Sequence, residues 1–381
     1  MNASILLFEH ASQVGGGQTV FLDLIAASLS HFDRVGVAYP PGGALQQRIV
    51  TRFSRQVQQI LLPEIRLSSG RKGVMDLLRV LLFSLRYLPY WGRFRRYDLW
   101  YVNGGRVLLP IALAALILRK KIIFHAHLDH KSYEKTLILY LARWGVIRMI
   151  LCPSRFVEAG LHRFHPWMAE SRICRVIPNA LTESFGSLSF ENRFGPEESV
   201  SRVALVGRIS AVKGHHLVCE VALRFPEMTF HFIGDVLAGE EAYARRLRAS
   251  APANVIFVGE VTDLPRTLSR LSIQLCLVPS QIDEAFGLVA IEGMACSCIT
   301  LGTARGALGE IAAETGMRLF DSTEMLSREL HALREMSHEA LTALARGQHR
   351  RTLETYHGER FATEVRTVFR ELQESARMRA S

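Results

Sequence analysis

Two glutamates with seven residues between them, Glu284 and Glu292, are the sharpest chemical signal in the chain. They lie in Pro279-Ser280-Gln281-Ile282-Asp283-Glu284-Ala285-Phe286-Gly287-Leu288-Val289-Ala290-Ile291-Glu292-Gly293-Met294-Ala295, directly after the apolar run Ile273–Val278. Phe286-Gly287 reads as the opening of a helix, and the free N–H groups of a first turn take up an anion. Glu284 falls in the loop ahead of that helix. Glu292 falls two turns inside it, among Val289, Ile291 and Met294. A carboxylate in such apolar company needs a partner, and a pair of ribose hydroxyls would serve. The competing reading is a glutamate on the wet face of the helix.

Three other clusters follow candidate strands. Val206-Gly207-Arg208 leads to Lys213-Gly214 at the head of a helix. Two cations on a strand–helix loop suit a pyrophosphate, and they equally suit plain solvation. Gly15-Gly16-Gly17 precedes a helix starting near Gln18, so it reads as a loop that lets backbone approach a phosphate or as a plain turn. Its spacing does not fit the G-x-G-x-x-G dinucleotide fingerprint. His125-Ala126-His127-Leu128-Asp129 follows a fourth strand, where a histidine serves either chemistry or packing. Metal chemistry is not expected. The nine Asp include no Asp-x-Asp pair for a divalent cation, and of the six Cys only Cys296 and Cys298 lie close together.

The elements that must position these residues alternate strand and helix. Candidate strands are Ile5–Phe8, Val35–Ala38, Leu99–Val102, Ile122–His125 and Ile147–Cys152, with helices over Thr19–Leu29, Val74–Leu88 and Tyr133–Trp144. The rhythm restarts with Val203–Val206, Thr229–Ile233, Val255–Val258 and Ile273–Val278. Such alternation implies α/β architecture with parallel sheets and crossover helices. Pro178–Arg202, rich in Ser, Asn, Glu, Gly and Pro, reads as a linker, and His357–Met378 as an amphipathic helix. The expectation is two doubly wound domains, 1–180 and 181–355, with a terminal helix over 356–381. Ligands bind beyond the carboxyl ends of parallel strands, so two such domains facing across a cleft would carry the chemistry there.

Composition excludes several classes. Of 381 residues, 49% are apolar and 22% charged, which rules out a largely disordered, collagenous or coiled-coil chain. The longest apolar run, Val107–Leu118, falls well short of the roughly 20 residues a spanning helix needs. No basic n-region or long h-region stands at the N-terminus, so a cytosolic protein is expected. The net charge of +10 is uneven: residues 1–180 hold 24 Lys and Arg against 10 Asp and Glu, and the rest is net acidic. A one-sided positive field points to an anionic partner. Arg71–Arg96 concentrates seven of these cations with Tyr90, Trp91 and Phe94, and Lys72, Arg79 and Arg86 share a helical face that Pro89 would end. The stretch fits an interfacial segment on anionic lipid or an ordinary helix of the first domain.

The Glu284-x7-Glu292 pattern, with Pro279-Ser280 before it and Gly293-x-Ala295 after, resembles the signature of family 4 glycosyltransferases. These are retaining enzymes of the GT-B fold, and the resemblance spans nearly the whole chain. Gly15–Gly17 resembles the family's N-terminal glycine loop, and Gly207-Arg208 with Lys213-Gly214 its phosphate-binding cations. Cys152-Pro153-Ser154 and Ile177-Pro178-Asn179 resemble the stretch that closes the first domain, with Ala180 in place of the usual Gly. The final helix resembles one that crosses back to the N-terminal domain.

The resemblance implies a hexosyltransferase on a nucleotide sugar of GDP-mannose or UDP-hexose type. Arg208 and Lys213 would hold the diphosphate, Glu292 the ribose and Glu284 hydroxyls of the donor sugar. Backbone at Gly16, Gly17, Phe286, Gly287 and Leu288 would meet phosphate and sugar. His127, with His125 next to it, is the histidine that would approach the sugar. The catalytic set is then His127, Glu284, Arg208 and Lys213, with no metal or other cofactor: the cations and a helix dipole stabilise the leaving diphosphate. That diphosphate would itself deprotonate the acceptor on the same face. The implied acceptor is lipid-linked or a surface polysaccharide, met at the cytoplasmic face of an anionic inner membrane, with no nucleic acid among the partners. A GT-B sugar phosphorylase and a non-catalytic, membrane-bound assembly partner are the alternatives.

Overall fold

Short, mostly apolar runs of three to six residues become the strands of two parallel sheets. The computed structural model describes residues 3–64, 84–128, 132–196 and 199–378. The chain divides into two units, Met1–Asn179 with Glu359–Ser381, and Ala180–Gly358.

The first unit holds strands β1 (Ser4–Phe8), β2 (Arg34–Tyr39), β3 (Gln58–Leu61), β4 (Leu99–Asn103), β5 (Lys121–His125), β6 (Ile147–Cys152) and β7 (Cys174–Val176). They form a parallel sheet in the order β3-β2-β1-β4-β5-β6-β7. The chain lays strands outward from β1 on one side, then returns to start β4 on the other. A topological switch point therefore falls between β1 and β4, where Ile5 pairs with Leu99 and Phe8 with Val102. Every residue of these two strands is buried, which is why they read as unbroken apolar runs rather than alternating ones. Helices Gly16–Leu29, Gly105–Ile117 and Ser132–Arg143 are among the crossovers. The final helix, Gly358–Met378, packs on this unit: Phe369 meets Phe32 at 5.0 Å and Glu371 accepts from Arg175 at 2.9 Å.

The second unit repeats the plan with β8 (Arg202–Val206), β9 (Thr229–Ile233), β10 (Val255–Gly259), β11 (Leu275–Val278), β12 (Ile299–Thr303) and β13 (Arg318–Phe320). The order is β10-β9-β8-β11-β12-β13, again parallel, with the switch point between β8 and β11. Two apolar clusters cover the sheet, one containing Phe230, Phe232 and Leu330, the other Ile291, Met294 and Leu308.

Several expectations change. Strands β3, β7, β12 and β13 were not anticipated, and Ile273 and Gln274 precede β11 rather than belonging to it. The Pro178–Arg202 segment is not a free linker. It carries a short helix, Glu183–Gly186, and buries Phe185, Phe194 and Val200 in the second unit's core. The expected helix Val74–Leu88 and the cations Arg71, Lys72 and Arg79 lie mostly outside the described residues. Of the rest of that stretch, Pro89 sits in a short 3-10 turn, Leu88–Tyr90, and Phe94 is buried against Phe8 and Trp100. Phe94 is therefore core and offers nothing to a membrane. Among the described residues no helix is long and apolar enough to cross a bilayer.

Candidate active site

In the second unit the loops after β8 and β11 meet at the switch point. Gly214, at φ +74, makes this possible: a Cβ there would stand 2.1 Å from the Pro279 carbonyl oxygen. The Gln281 N–H donates to Val212 O at 2.8 Å and ties the same two loops. Lys213 Nζ consequently donates to Glu284 Oε1 at 2.6 Å, and Ser280 Oγ donates to the same oxygen. The pair is half-buried, with the glutamate side chain 15% exposed. Glu284 is fixed from behind as well. Gly306, at φ +58, approaches so closely that a Cβ would lie 2.2 Å from Glu284 O, and that carbonyl accepts from Ala307 N–H at 2.8 Å.

Gly287 caps the helix Leu288–Ala295, whose first turn follows Glu284. Phe286 is buried there, its ring 5.5 Å from Tyr356. Glu292 is the fifth residue of that helix, one turn inside rather than two. It is partly buried, and its carboxylate has no hydrogen bond or ion pair with any described residue. Desolvation alone pushes its pKa up to about 7. Arg208, just past β8, is exposed, and its guanidinium likewise has no partner among the described residues. His215, next to Gly214, is buried with Nδ1 3.4 Å from Ser210 O; burial lowers its pKa to about 4, so it is a neutral packing residue.

In the first unit the residues just past β1, β4 and β5 converge. Glu9 follows β1 and is 1% exposed. Its Oε1 accepts from the N–H groups of His10 at 2.6 Å and Ala11 at 2.9 Å, and His10 Nδ1 stands 2.8 Å away. Asn103, at the end of β4, donates through Nδ2 to Glu9 Oε2 and, at 3.3 Å, to Gly17 O. Burial opposes ionisation of Glu9, but the His10, Asn103 and Ala11 contacts outweigh it and hold the carboxyl below its ordinary range. Asn103 Oδ1 lies 2.6 Å from His127 Nε2. The His127 ring lies against His125, tilted by 32° with centroids 3.9 Å apart, and Gly17 lies over it, since a Cβ on Gly17 would stand 3.8 Å from the ring. His125 is fully buried, bonded through Nδ1 to Tyr101 Oη at 2.7 Å. Burial, and secondarily His127, lowers its pKa well below the usual value. His125 is thus the neutral floor under His127. Gly16 opens the helix Gly16–Leu29, two residues earlier than Gln18. Asp129 lies outside the described residues.

Within each unit the structure gathers the residues singled out from sequence: Lys213, Glu284 and the Phe286–Leu288 turn in the second, Gly17 and His127 in the first. Arg208 and Glu292 make no direct contact with Lys213 or Glu284. Glu9 and Asn103 were missed. Each is one polar residue at the end of a buried strand, and only the adjacency of β1 and β4 brings them together. Among the described residues no group of His, Cys, Asp or Glu could hold a metal ion.

The two sheets, each with its polar cluster at the switch point, define the GT-B class of glycosyltransferase folds. Solved structures share it across almost the whole chain. Anabaena Alr3699/HepE, in complex with UDP and glucose, superposes with a TM-score of 0.77 at 18% identity, covering 96% of this chain and 98% of its own. Sucrose-phosphate synthase from Thermosynechococcus elongatus gives 0.76 at 17% identity, covering 98% and 100%. The lipopolysaccharide outer core galactosyltransferase WaaB, in its apo form, gives 0.66 at 14% identity, covering 97% and 99%. No curated protein sequence matches the chain. Residues 190–343, which include Arg208, Lys213, Glu284 and Glu292, match the family described as Glycosyl transferases group 1. The match to this family thus lies within the second unit, and the likeness to the solved structures extends the shared fold over nearly the whole chain.

Proposed function

We propose that the protein transfers a hexosyl group, with retention of configuration, from a nucleoside diphosphate sugar to a lipid-linked or polysaccharide acceptor. The observation that carries this reading is the β8/β11 switch point, where Lys213 is paired with Glu284 ahead of the helix Leu288–Ala295, which carries a Glu292 with no partner among the described residues. An anionic diphosphate draws on Lys213, Arg208 and the first-turn N–H groups of Leu288–Ala295. Ribose hydroxyls donate to Glu292, and hydroxyls of the sugar to Glu284. Gly16, Gly17 and the Phe286–Leu288 backbone lie against phosphate and sugar, and His127 meets a sugar hydroxyl.

In the transfer, the bond from the anomeric carbon to the phosphate oxygen breaks and its electron pair leaves with the diphosphate. The acceptor oxygen bonds to the same face of that carbon, and its proton passes to the departing phosphate. Arg208 and Lys213 neutralise the charge that grows on the leaving group, so no metal is required. UDP-hexoses and GDP-mannose are the donors to examine first, since HepE is solved with UDP, with UDP and glucose, and with UDP-glucose. The acceptor is met at an anionic membrane. The positive surplus of the first 180 residues supports this, as do exposed Tyr140 and Trp144, in tilted contact at 5.8 Å beside Arg143.

Thermal melts with UDP, GDP and their hexose esters test the site. A cognate donor at a hundred times its Kd stabilises by about 2.7 kcal/mol, and Arg208→Ala and Lys213→Ala should each reduce that shift. Turnover in EDTA, with the product's anomeric configuration read by NMR, tests the reaction. No shift with any nucleotide, or an inverted product, would overturn the proposal.

A further inference from the structure

Residues 188–193 run past the C-terminal end of the helix Leu288–Ala295 and leave a recess of about 230 Å³ there. Ser189, Glu191, Arg193, Arg266, Cys296 and Ser297 help to line it, and none of them belongs to the candidate active site. Pockets for drug-sized ligands run to roughly 300–1,000 Å³, so this one suits a smaller molecule.

Arg193 is 7% exposed, and a guanidinium so buried needs its donors met. Nη1 donates to Ile273 O at 2.8 Å and to Leu268 O at 3.3 Å, and Nη2 donates to Glu191 Oε2 at 2.9 Å. Nε is buried and has no hydrogen-bond partner among the described residues. The Nε–H lies on the same edge of the planar guanidinium as Nη2. That edge is turned toward Glu191, and so toward the recess. Glu191 leaves Nε unmet because its other oxygen, Oε1, accepts from Ser269 Oγ at 3.0 Å.

The lining adds two more donors. The Arg266 guanidinium is exposed and has no partner among the described residues. Ser297 Oγ accepts from Glu191 N–H at 3.0 Å, which leaves its hydroxyl proton to give. Cys296 adds no charge, since burial raises its thiol pKa. Two arginines against one glutamate leave one positive charge unmatched. A monoanion balances it, whereas a dianion such as a phosphate monoester brings surplus negative charge against Glu191.

We propose that this recess binds a small monocarboxylate, whose oxygens accept from Arg193 Nε, Arg266 and Ser297 Oγ. Neither the recess nor its charges depend on the glycosyl-transfer reading above.

Ligand-observed NMR on the full chain tests the site, with propionate as probe, propionamide as its uncharged counterpart and inorganic phosphate as the competing oxyanion. Propionate should bind with a Kd of about a millimolar, within reach of a ligand this small held by two charged donors. Arg266→Gln should weaken it about tenfold, and propionamide should bind the wild type about tenfold more weakly than propionate. Arg208→Ala, which alters the candidate active site, should leave propionate binding unchanged. In the ¹H–¹⁵N spectrum the Arg193 Nε–H signal, identified by its loss in Arg193→Lys, should move on titration with propionate. Four results each overturn the proposal: no propionate binding well above a millimolar, equal binding of propionamide, tighter binding of phosphate, or loss of binding in Arg208→Ala with Arg266→Gln unaffected. Arg266 is exposed, so its variant decides the matter even where Arg193→Lys does not fold.

Discussion

Glu292 should couple nucleotide binding to proton release. Its carboxylate has no partner among the described residues, and desolvation raises its pKa from 4.5 to about 7. At pH 6, one unit below that value, about nine in ten free protein molecules carry the proton. Ribose hydroxyls donate to the ionised form and favour it, drawing the pKa back toward the ordinary carboxylate range. Binding at pH 6 should then release nearly one proton from this group, and at pH 8 almost none. Affinity should rise by up to about tenfold per pH unit between about 5 and 7 and level off above that. Calorimetric titration of nucleoside diphosphate in two buffers of different ionisation enthalpy counts the protons directly. The nucleotide's own phosphate titrates in every experiment, so the informative quantity is the difference between wild type and Glu292→Gln.

The same shift has a sign in stability. A carboxyl whose folded pKa is raised contributes stability that is fully present below the unfolded pKa and is lost as pH rises through the folded one. Between pH 4.5 and about 7 the ligand-free protein should lose at most about 3 kcal/mol from Glu292, less any relief from its partial exposure. Glu292→Gln should flatten that slope. Equal proton release in wild type and variant would refute the reasoning, because the group could not then be both desolvated when free and paired when bound.

Glu284→Gln frees Lys213 from an ion pair worth about 1 kcal/mol at this exposure, so a nucleoside diphosphate lacking sugar should bind about fivefold tighter. The intact nucleotide sugar should gain less or lose affinity; competition binding of the two ligands checks both halves. For the membrane, replacing exposed Arg93, Arg95 and Arg96 by Gln should remove about 3 kcal/mol of attraction to phosphatidylglycerol vesicles, roughly a hundredfold in partitioning, with the melting temperature unchanged. Co-sedimentation that is insensitive to the triple substitution would move the contact to another surface.

The central strands were legible because burial on both faces makes them uninterrupted apolar runs, as in Ser4–Phe8 and Leu99–Asn103. Three of the four edge strands were not; only β10 was. Gln58–Leu61, Cys174–Val176 and Arg318–Phe320 are three or four residues long and partly exposed, too short for any period to emerge. Ile299–Thr303 was hidden by its proximity to the cysteine-rich end of the preceding helix, from which only three residues separate it. Lys213 and Glu284 were legible as candidates because each follows a strand and precedes a glycine at the head of a helix, Gly214 directly after Lys213 and Gly287 three residues after Glu284. Their direct pairing depends on β8 lying next to β11, a fact of topology that neither loop encodes alone. Glu9 and Asn103, 94 residues apart, carry even less local signal. They become visible only once the ends of β1 and β4 are known to be neighbours.

The three carboxylates Glu9, Glu284 and Glu292 differ in how much of their hydrogen-bonding capacity the protein itself uses, and that difference sorts their roles. Glu9 accepts from two backbone N–H groups and from Asn103, and its pKa is held low despite burial. Little capacity is left for a ligand, which suits a group that orients another side chain. Glu284 accepts from Lys213 and Ser280 on one oxygen, so its second oxygen remains to be matched by a donor, and its hold on Lys213 is exchangeable for a phosphate. Glu292 accepts from none of the described residues and is desolvated to a pKa of about 7. A partly desolvated carboxylate with few donors is the one that ligand hydroxyls stabilise most, so of the three it gains most from them. Each added donor lowers a carboxyl's pKa, so bound substrate should perturb the titration of Glu292 strongly and that of Glu9 little.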